Sequence, residues 1–448
     1  MRRLRRHGRR LRLTAIASAG LQTEGPVHTN RPLVLLVAPS QSYRLGAYLA
    51  AAAQQGLAAL VVSEGEHSLV SEVASGLRVS LGDPEHCAAE VLAALQGQRV
   101  AAVLGLEDSS VEAASRIAQA MGLPGNDPGA ARLTRRKDLA RARLAQAGLP
   151  VPAHRVLDLT APLAPQADGF DYPAVLKPLA LSASRGVIRV DDAAQLERAG
   201  ARIARLLAQE PRLDAFERGH ALLEAYVPGF EVALEGLLQD GRLQVLALFD
   251  KPEPLEGPYF EESYYVTPSR LPPVTQEALA GIVQAACGAY GLRIGPVHAE
   301  LRVREGAGVL LEVAGRSIGG DCARLLDYAS GLPLEGLVLR NALGLPLTGA
   351  RERQGLGVLM IPIGAQGGVL RRVEGVLAAQ AVPHIEAVYV DIREGNVLTP
   401  LPEGASYLGF IFARAPTAAQ AEAALRAAHA CLRIVTAPVL PLAVSAGA

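Results

Sequence analysis

The segment 298–313 constrains this chain more than any other. His298-Ala-Glu300-Leu-Arg302-Val and Val309-Leu-Leu-Glu312-Val are apolar stretches on either side of turn residues at Glu305–Gly308, so they read as two adjacent strands. Leu301, Val303, Leu311 and Val313 mark those strands as buried, and the pairing sets Glu300 against Glu312. Two carboxylates held close in an apolar setting repel one another unless a cation lies between them, and hard oxygen ligands suit Mg²⁺. The competing reading is a cross-strand pair of surface acids. Arg316 stands just past the second strand, within reach of an oxyanion beside such a metal. His298 shares its side of the sheet with Glu300 and reads either as a substrate or metal-shell contact or as a hydrogen-bonded structural histidine.

The second constraint is a bias in the basic residues. Of 44 lysines and arginines, only Lys137, Lys177 and Lys251 are lysine. A lysine kept against that bias can mark a place where a compact ammonium is not replaceable by a planar guanidinium. Lys177 ends the run Tyr172-Pro-Ala-Val-Leu-Lys177-Pro178, and a lysine at the end of a buried strand is costly unless it meets an anion. Ser182-Ala-Ser184-Arg185-Gly186 follows, a loop whose amides and hydroxyls could fold over a polyphosphate or simply form a hairpin turn. In Glu224-Ala225-Tyr226-Val227-Pro-Gly-Phe-Glu231, a strand that breaks at Pro228-Gly229 exposes main-chain groups of Ala225–Val227 of the kind a purine edge pairs with. Glu231 follows at a distance suited to a ribose hydroxyl; the bland alternative is a turn with two solvated acids. Lys251 opens a long segment, either to position a substrate carboxylate or to pair with a neighbouring acid. His67, His86 and His154 have no partner pattern.

At 448 residues the chain has room for about three domains. The formal net charge of zero removes a general electrostatic case for nucleic acid as partner. Seven arginines between Arg2 and Arg12 leave −7 on the remainder, and residues 1–30 read as a basic flexible leader rather than an export signal. No run approaches the ~18 apolar residues of a spanning helix, so no membrane partner is expected. Cys87, Cys287, Cys322 and Cys431 lack paired spacing, which favours free thiols and a cytoplasmic location.

Strand–helix alternation from Leu33 to about Asn126 predicts an open parallel α/β domain over 31–130, without a G-x-G-x-x-G turn. A helix is expected over Leu133–Ala147. An α+β region follows over 131–345, with strands at Ala174–Lys177, Val187–Val190, Ala221–Glu224, Val232–Leu238 and Leu243–Phe249, helices near Ala193–Leu207 and Gln276–Tyr290, and a long ordered loop at 251–275. A compact α+β end domain is expected over 346–448, with strands at Gly357–Pro362, Ile385–Ile392 and Leu408–Ala413 and helices at Leu370–Ala379 and Thr417–Leu432.

Phosphate lysine, hinge strand, then two acids and an arginine: in this order the pieces resemble the ATP-grasp superfamily over about residues 33–345. The resemblance implies an ATP-grasp fold of mixed α/β and α+β class. It implies that Lys137 and Lys177 hold the ATP phosphates and that Ser182, Ser184, Arg185 and Gly186 belong to a mobile phosphate lid. It further implies that Glu224, Ala225, Tyr226 and Val227 hold adenine, Glu231 the ribose, and Glu300 and Glu312 two Mg²⁺ ions, with Mn²⁺ as an alternative. The run Gly357–Pro362 with Gly368-Val-Leu-Arg-Arg-Val-Glu374 looks like the end domain of L-amino-acid ligases. In that likeness Glu261 or Glu262, together with Arg316, would bind substrate and an acyl phosphate. Ser406–Arg414 also resembles the closing segment of biotin carboxylases. The chain departs from the grasp pattern at Ala314, where many members have a metal-binding asparagine, and at Ala183, where a lid glycine is common.

The function so implied is an ATP-dependent carboxylate–amine ligase that joins small-molecule substrates, amino acids among them, with a homodimer as the default assembly. The rivals are a bicarbonate-activating carboxylase and an ATP-binding module without catalysis.

Overall fold

The structure is a computed structural model that describes residues 31–64, 76–330, 332–347 and 354–439. The expected leader lies outside the described residues. Strands β1 (Leu33–Val37), β2 (Ala58–Ser63), β3 (Gly76–Arg78) and β4 (Val100–Gly105) pair in parallel in the order β3-β2-β1-β4. Every residue of β1 is buried, as expected of a parallel strand covered on both faces.

Strands β5 (His154–Asp158), β6 (Ala174–Pro178), β7 (Ile188–Val190) and β8 (His220–Ala225) form a small antiparallel sheet, ordered β5-β8-β6-β7. The helix Ala193–Leu207 covers it. Its buried residues Leu196, Ala199, Gly200, Ile203, Leu206 and Leu207 recur at helical spacing, and the Asp192 carboxylate caps its first turn by accepting from the Gln195 amide.

The chain leaves this sheet at Ala225 and enters a larger one at Phe230. The crossing passes Gly229 at φ 123°, where a Cβ would come within 2.5 Å of the Val303 carbonyl, so only glycine fits. The larger sheet comprises β9 (Phe230–Gln239), β10 (Arg242–Lys251), β11 (Tyr264–Thr267), β12 (Gly295–Arg304), β13 (Ala307–Ala314), β14 (Gly355–Ile361), β16 (Ile385–Val390) and β18 (Gly409–Ala415). Its order is β13-β12-β9-β10-β11-β14-β18-β16. The remaining strands, β15 (Gly368–Glu374), β17 (Val397–Leu398) and β19 (Arg433–Ala437), form a three-stranded sheet.

Three expectations are corrected. Leu133–Ala147 is two helices, Pro128–Leu133 and Lys137–Gln146, because the backbone is extended at Arg136 (φ −92°, ψ 98°) and restarts with Lys137 in the first turn. The 251–275 segment is not all loop: Tyr264–Thr267 is strand β11, and it joins β10 to β14. Leu370–Ala379 is strand β15 followed by a one-turn helix at Val376–Gln380, since Gly375 at φ 84° breaks the run. Through β11, the strands β14, β18 and β16 extend the sheet that carries the hairpin.

One apolar core runs from β1 and β4 through the helices at Leu45–Gln54 and Leu334–Ala342 to Ala233, Phe249, Val358 and Phe412 of the large sheet. The opposite face of that sheet packs on the helix Pro273–Tyr290 through Leu279, Val283 and Cys287. Cys87, Cys287, Cys322 and Cys431 are free thiols, and no described helix is long and apolar enough to cross a membrane. Phe249 is fully buried and meets Tyr265 edge-on at 6.0 Å across β10 and β11. Truncation by Phe249→Ala is expected to cost about 3–5 kcal/mol, read as a lowered urea midpoint.

Candidate functional site

The hairpin forms as the spacing predicts. β12 and β13 pair antiparallel with Glu300 opposite Glu312, and a bulge follows Glu300. Glu305 (φ 52°) and Gly306 (φ 81°) form the two-residue turn, the left-handed pair that favours a tight hairpin. Both acids line a cavity of about 660 Å³ between the small sheet and the large one. Lys137, Lys177, Ser182, Ser184, Glu224, Ala225, Tyr226, Val227, Glu231, Glu262, His298 and Arg316 line it too. Arg185 and Gly186 lie outside this lining: Arg185 pairs with Glu210 at 2.7 Å, and the Gly186 amide donates to the Pro402 carbonyl. Glu261 also turns away, accepting from the Ile363 amide at 3.0 Å.

Cations and acids alternate through the cavity. The Lys137 ammonium donates to Glu312 at 2.9 Å and to the Leu181 carbonyl at 3.0 Å. Lys177 meets Glu224 at 2.5 Å, and Arg141 meets the other oxygen of the same carboxylate at 2.6 Å. Burial alone would raise the Glu224 carboxyl, but Arg141 and Lys177 outweigh it and hold the group down at about 2. For Lys177 the balance runs the other way. Burial outweighs Glu224 and holds the ammonium below its ordinary value, so this lysine would gain from a further anion.

Lys251 lies beneath the lining, 2 % exposed, donating to three acids that line it: Glu231 (2.8 Å), Glu262 (2.6 Å) and Glu300 (3.0 Å). Burial works against its charge, and the three carboxylates outweigh burial and raise it well above the ordinary value. Glu262 is pushed up by burial and by the neighbouring Glu300, and it accepts from the Tyr265 hydroxyl at 2.6 Å. Glu231 also accepts from Arg302 Nε at 2.6 Å. His298 stands 3.3 Å from Glu235 and 3.5 Å from Glu300; burial lowers it, but the two acids prevail and raise it.

Arg316 reaches back to the N-terminal sheet. Its Nε and Nη2 each lie 3.0 Å from Asp108 Oδ2, just beyond the end of β4. Arg44 joins them, within 3.3 Å of Glu107 and donating to Ser317 and the Ile318 carbonyl. Of the hinge amides, those of Ala225 and Tyr226 are taken by the carbonyls of Ala153 and Pro173, so the hinge is more fully paired than its sequence implies. The donor chemistry fits a hard divalent cation: Glu300 and Glu312 are carboxylates on paired strands, and each already neutralises a cation, Lys251 and Lys137 respectively.

Sequence reasoning missed Arg141, Arg302, Arg44, Glu107 and Asp108. Only Arg302 carried a local signal, standing two residues from Glu300 on the same face of β12. The others meet their partners across long stretches of chain.

Residues 170–324 match the family model for the ATP-grasp domain. The chain has the ATP-grasp fold, and this stretch of it is an ATP-grasp domain. Residues 363–437 match the L-amino acid ligase C-terminal domain 2. Among solved structures it is similar to an L-amino acid ligase from Bacillus licheniformis, with TM-score 0.76 and 25% identity over 91% of this chain and 100% of that one. An uncharacterised protein, y4rH, of Sinorhizobium fredii is 27% identical over 73% of this chain and 67% of its own length. Carnosine synthase 1 of Gallus gallus is 32% identical over 58% of this chain, and the match spans 30% of that relative's length. The two domain matches and the ligase neighbour together support an ATP-dependent ligase.

Because the Glu224 value of about 2 lies below its ordinary 4.5, the stability it supplies is fully present above pH 4.5 and is lost as pH falls toward 2. Glu224→Gln is expected to lose about 3–5 kcal/mol at neutral pH, since it strands two buried cations. It should also flatten the acid limb of the stability profile, measured by thermal melts across that interval.

Proposed function

We propose that this chain is a carboxylate–amine ligase that uses ATP and Mg²⁺ to join amino acids through an acyl phosphate, releasing ADP and phosphate. The observation that carries this reading is that Lys137, Lys177 and Arg316 line one cavity with the hairpin acids Glu300 and Glu312, each cation held by a carboxylate of that cavity: Glu312, Glu224 and Asp108. The L-amino acid ligase likeness of the C-terminal region and of the whole chain supports it.

In this reading Lys137 and Lys177 hold the ATP phosphates, while Ser182 and Ser184 lie over them. Tyr226 and Val227 bracket the adenine, and Glu231 holds the ribose. Glu300 and Glu312 hold Mg²⁺, which when bound would neutralise the transferring phosphoryl group. The substrate carboxylate oxygen forms a bond to the γ-phosphorus as the bond from that phosphorus to the β,γ-bridging oxygen breaks, and the electron pair leaves with ADP. The amine nitrogen then attacks the acyl carbon, and phosphate departs with the carbon–oxygen bonding pair. Glu262, its carboxyl raised by burial, takes the proton that the amine sheds. Arg316 faces the phosphoryl oxygens after exchanging Asp108 for them, and His298, 3.5 Å from Glu300, steadies that carboxylate. The enzyme's part is placement, charge neutralisation and exclusion of water.

The test follows ADP release and product mass with MgATP and a panel of single and paired amino acids, with bicarbonate tested separately. ADP and an amide that appear only with particular pairs are expected; ADP with bicarbonate alone would overturn the reading. Glu312→Gln is expected to lower kcat about 100-fold or more with the fold retained. Full activity in that variant would remove the metal assignment.

A further inference from the structure

The small sheet is fastened by the C-terminal region, at a point outside the reacting groups. The loop between β17 and β18 carries Thr399-Pro-Leu-Pro402-Glu403-Gly404-Ala-Ser-Tyr407. Its turn closes through the Gly404 amide on the Pro400 carbonyl, and a Cβ at Gly404 would come within 1.9 Å of the Thr399 carbonyl, so the turn requires glycine. Both oxygens of Glu403 take Arg202 of the helix Ala193–Leu207, at 2.5 and 2.8 Å. Arg202 also donates to the Tyr259 hydroxyl at 2.5 Å.

The same loop touches the tip of the phosphate lid. The Gly186 amide donates to the Pro402 carbonyl at 2.9 Å, and Arg185 Nε to the Glu403 carbonyl at 3.3 Å. Ala183 faces the loop across a gap of only about 10 Å³. Ala183 (φ 55°) and Ser184 (φ 53°) are both held left-handed, a conformation non-glycine residues adopt only when their surroundings impose it. Two to four residues beyond Glu403, the loop's Ala405, Ser406 and Tyr407 line the main cavity.

We propose that Glu403 and Arg202 are positioning residues that latch the phosphate lid shut, and that the loop carrying Glu403 couples this latch to occupancy of the substrate end of the cavity. The proposal rests on the ligase reading for its consequence in catalysis. Neither residue touches the reacting groups. The pair is bidentate, which fixes its geometry, and 37% and 42% exposed, which keeps it weak enough to open in each turnover. A latch of this kind keeps water from the acyl phosphate until the amine attacks, so its loss should raise ADP formed without amide.

The experiment compares wild type, Arg202→Ala, Glu403→Gln and the double variant by two readouts. Hydrogen exchange at residues 182–187 with Mg²⁺ and ADP present is expected to rise about two- to fivefold in each single variant, the population change an exposed ion pair commands. The ratio of ADP to amide should rise by a similar factor, with the double variant no worse than the more affected single one. Raised ionic strength should move wild type toward the variants and leave the variants unmoved. Unchanged lid exchange, or an additive double variant, would overturn the latch. If wild type makes ADP but no amide with any amino-acid pair, the ligase reading fails, while the exchange comparison still decides the latch.

Discussion

Lys251 in its cage of three carboxylates sets the electrostatic condition on which the cavity depends. Glu231, Glu262 and Glu300 come from three different strands or loops of the large sheet, and without a cation among them their mutual repulsion would force them apart or protonate them. Because β9, β10 and β12 are neighbours in the sheet, one ammonium at the end of β10 reaches all three. The same economy governs the rest of the site. Lys137 is neutralised by Glu312, Lys177 by Glu224 and Arg316 by Asp108. A site so arranged is stable before any ligand arrives, and a phosphate or metal entering it exchanges one counter-charge for another instead of introducing an unpaired one.

The backbone makes those exchanges short. The crossing at Tyr226–Gly229 hands the chain from the small sheet to the large one, so Glu224 and Glu231 stand on opposite walls of the cavity only seven positions apart in sequence. β11 lets the C-terminal strands continue the large sheet, which places Met360 and Phe410 on the same wall as Glu300. The N-terminal sheet then closes the third side through Asp108, Glu107 and Arg44 at the carboxyl ends of its strands or the helix start that follows, the usual end at which parallel sheets meet ligands.

Much of this was legible from local pattern. Two apolar runs on either side of the turn residues Glu305–Gly308 mark the hairpin, and they set Glu300 against Glu312 because a one-residue slip would put both acids on the wrong face. The helix over Ala193–Leu207 was legible for the same reason, a periodicity tied to one buried face. β15 was not: Val-Leu-Arg-Arg-Val places apolar residues at a spacing that suits one helical turn as well as a strand, and only pairing with the distant β19 decides it. β11 is four residues long, buried among prolines and glutamates in sequence, and its strand character comes from two neighbours far along the chain. Asp108 and Arg316 are 208 positions apart, and no local spacing announces such a pair.

The lysine bias takes its meaning from this geometry. Lys137 and Lys177 line the cavity and Lys251 lies beneath three acids that line it; Lys137 meets a carboxylate and a carbonyl, Lys177 one carboxylate and Lys251 three. An ammonium is a compact charge with three donors that rotate to suit, so it can serve three carboxylates converging on one point. A guanidinium offers its donors in one plane, which suits the two oxygens of a flat carboxylate, as Arg202 takes Glu403 and Arg136 takes Asp138. The chain uses the planar cation where one carboxylate must be gripped in a fixed orientation. It uses the compact one at Lys251, where three carboxylates converge on a single point that no planar donor set could serve.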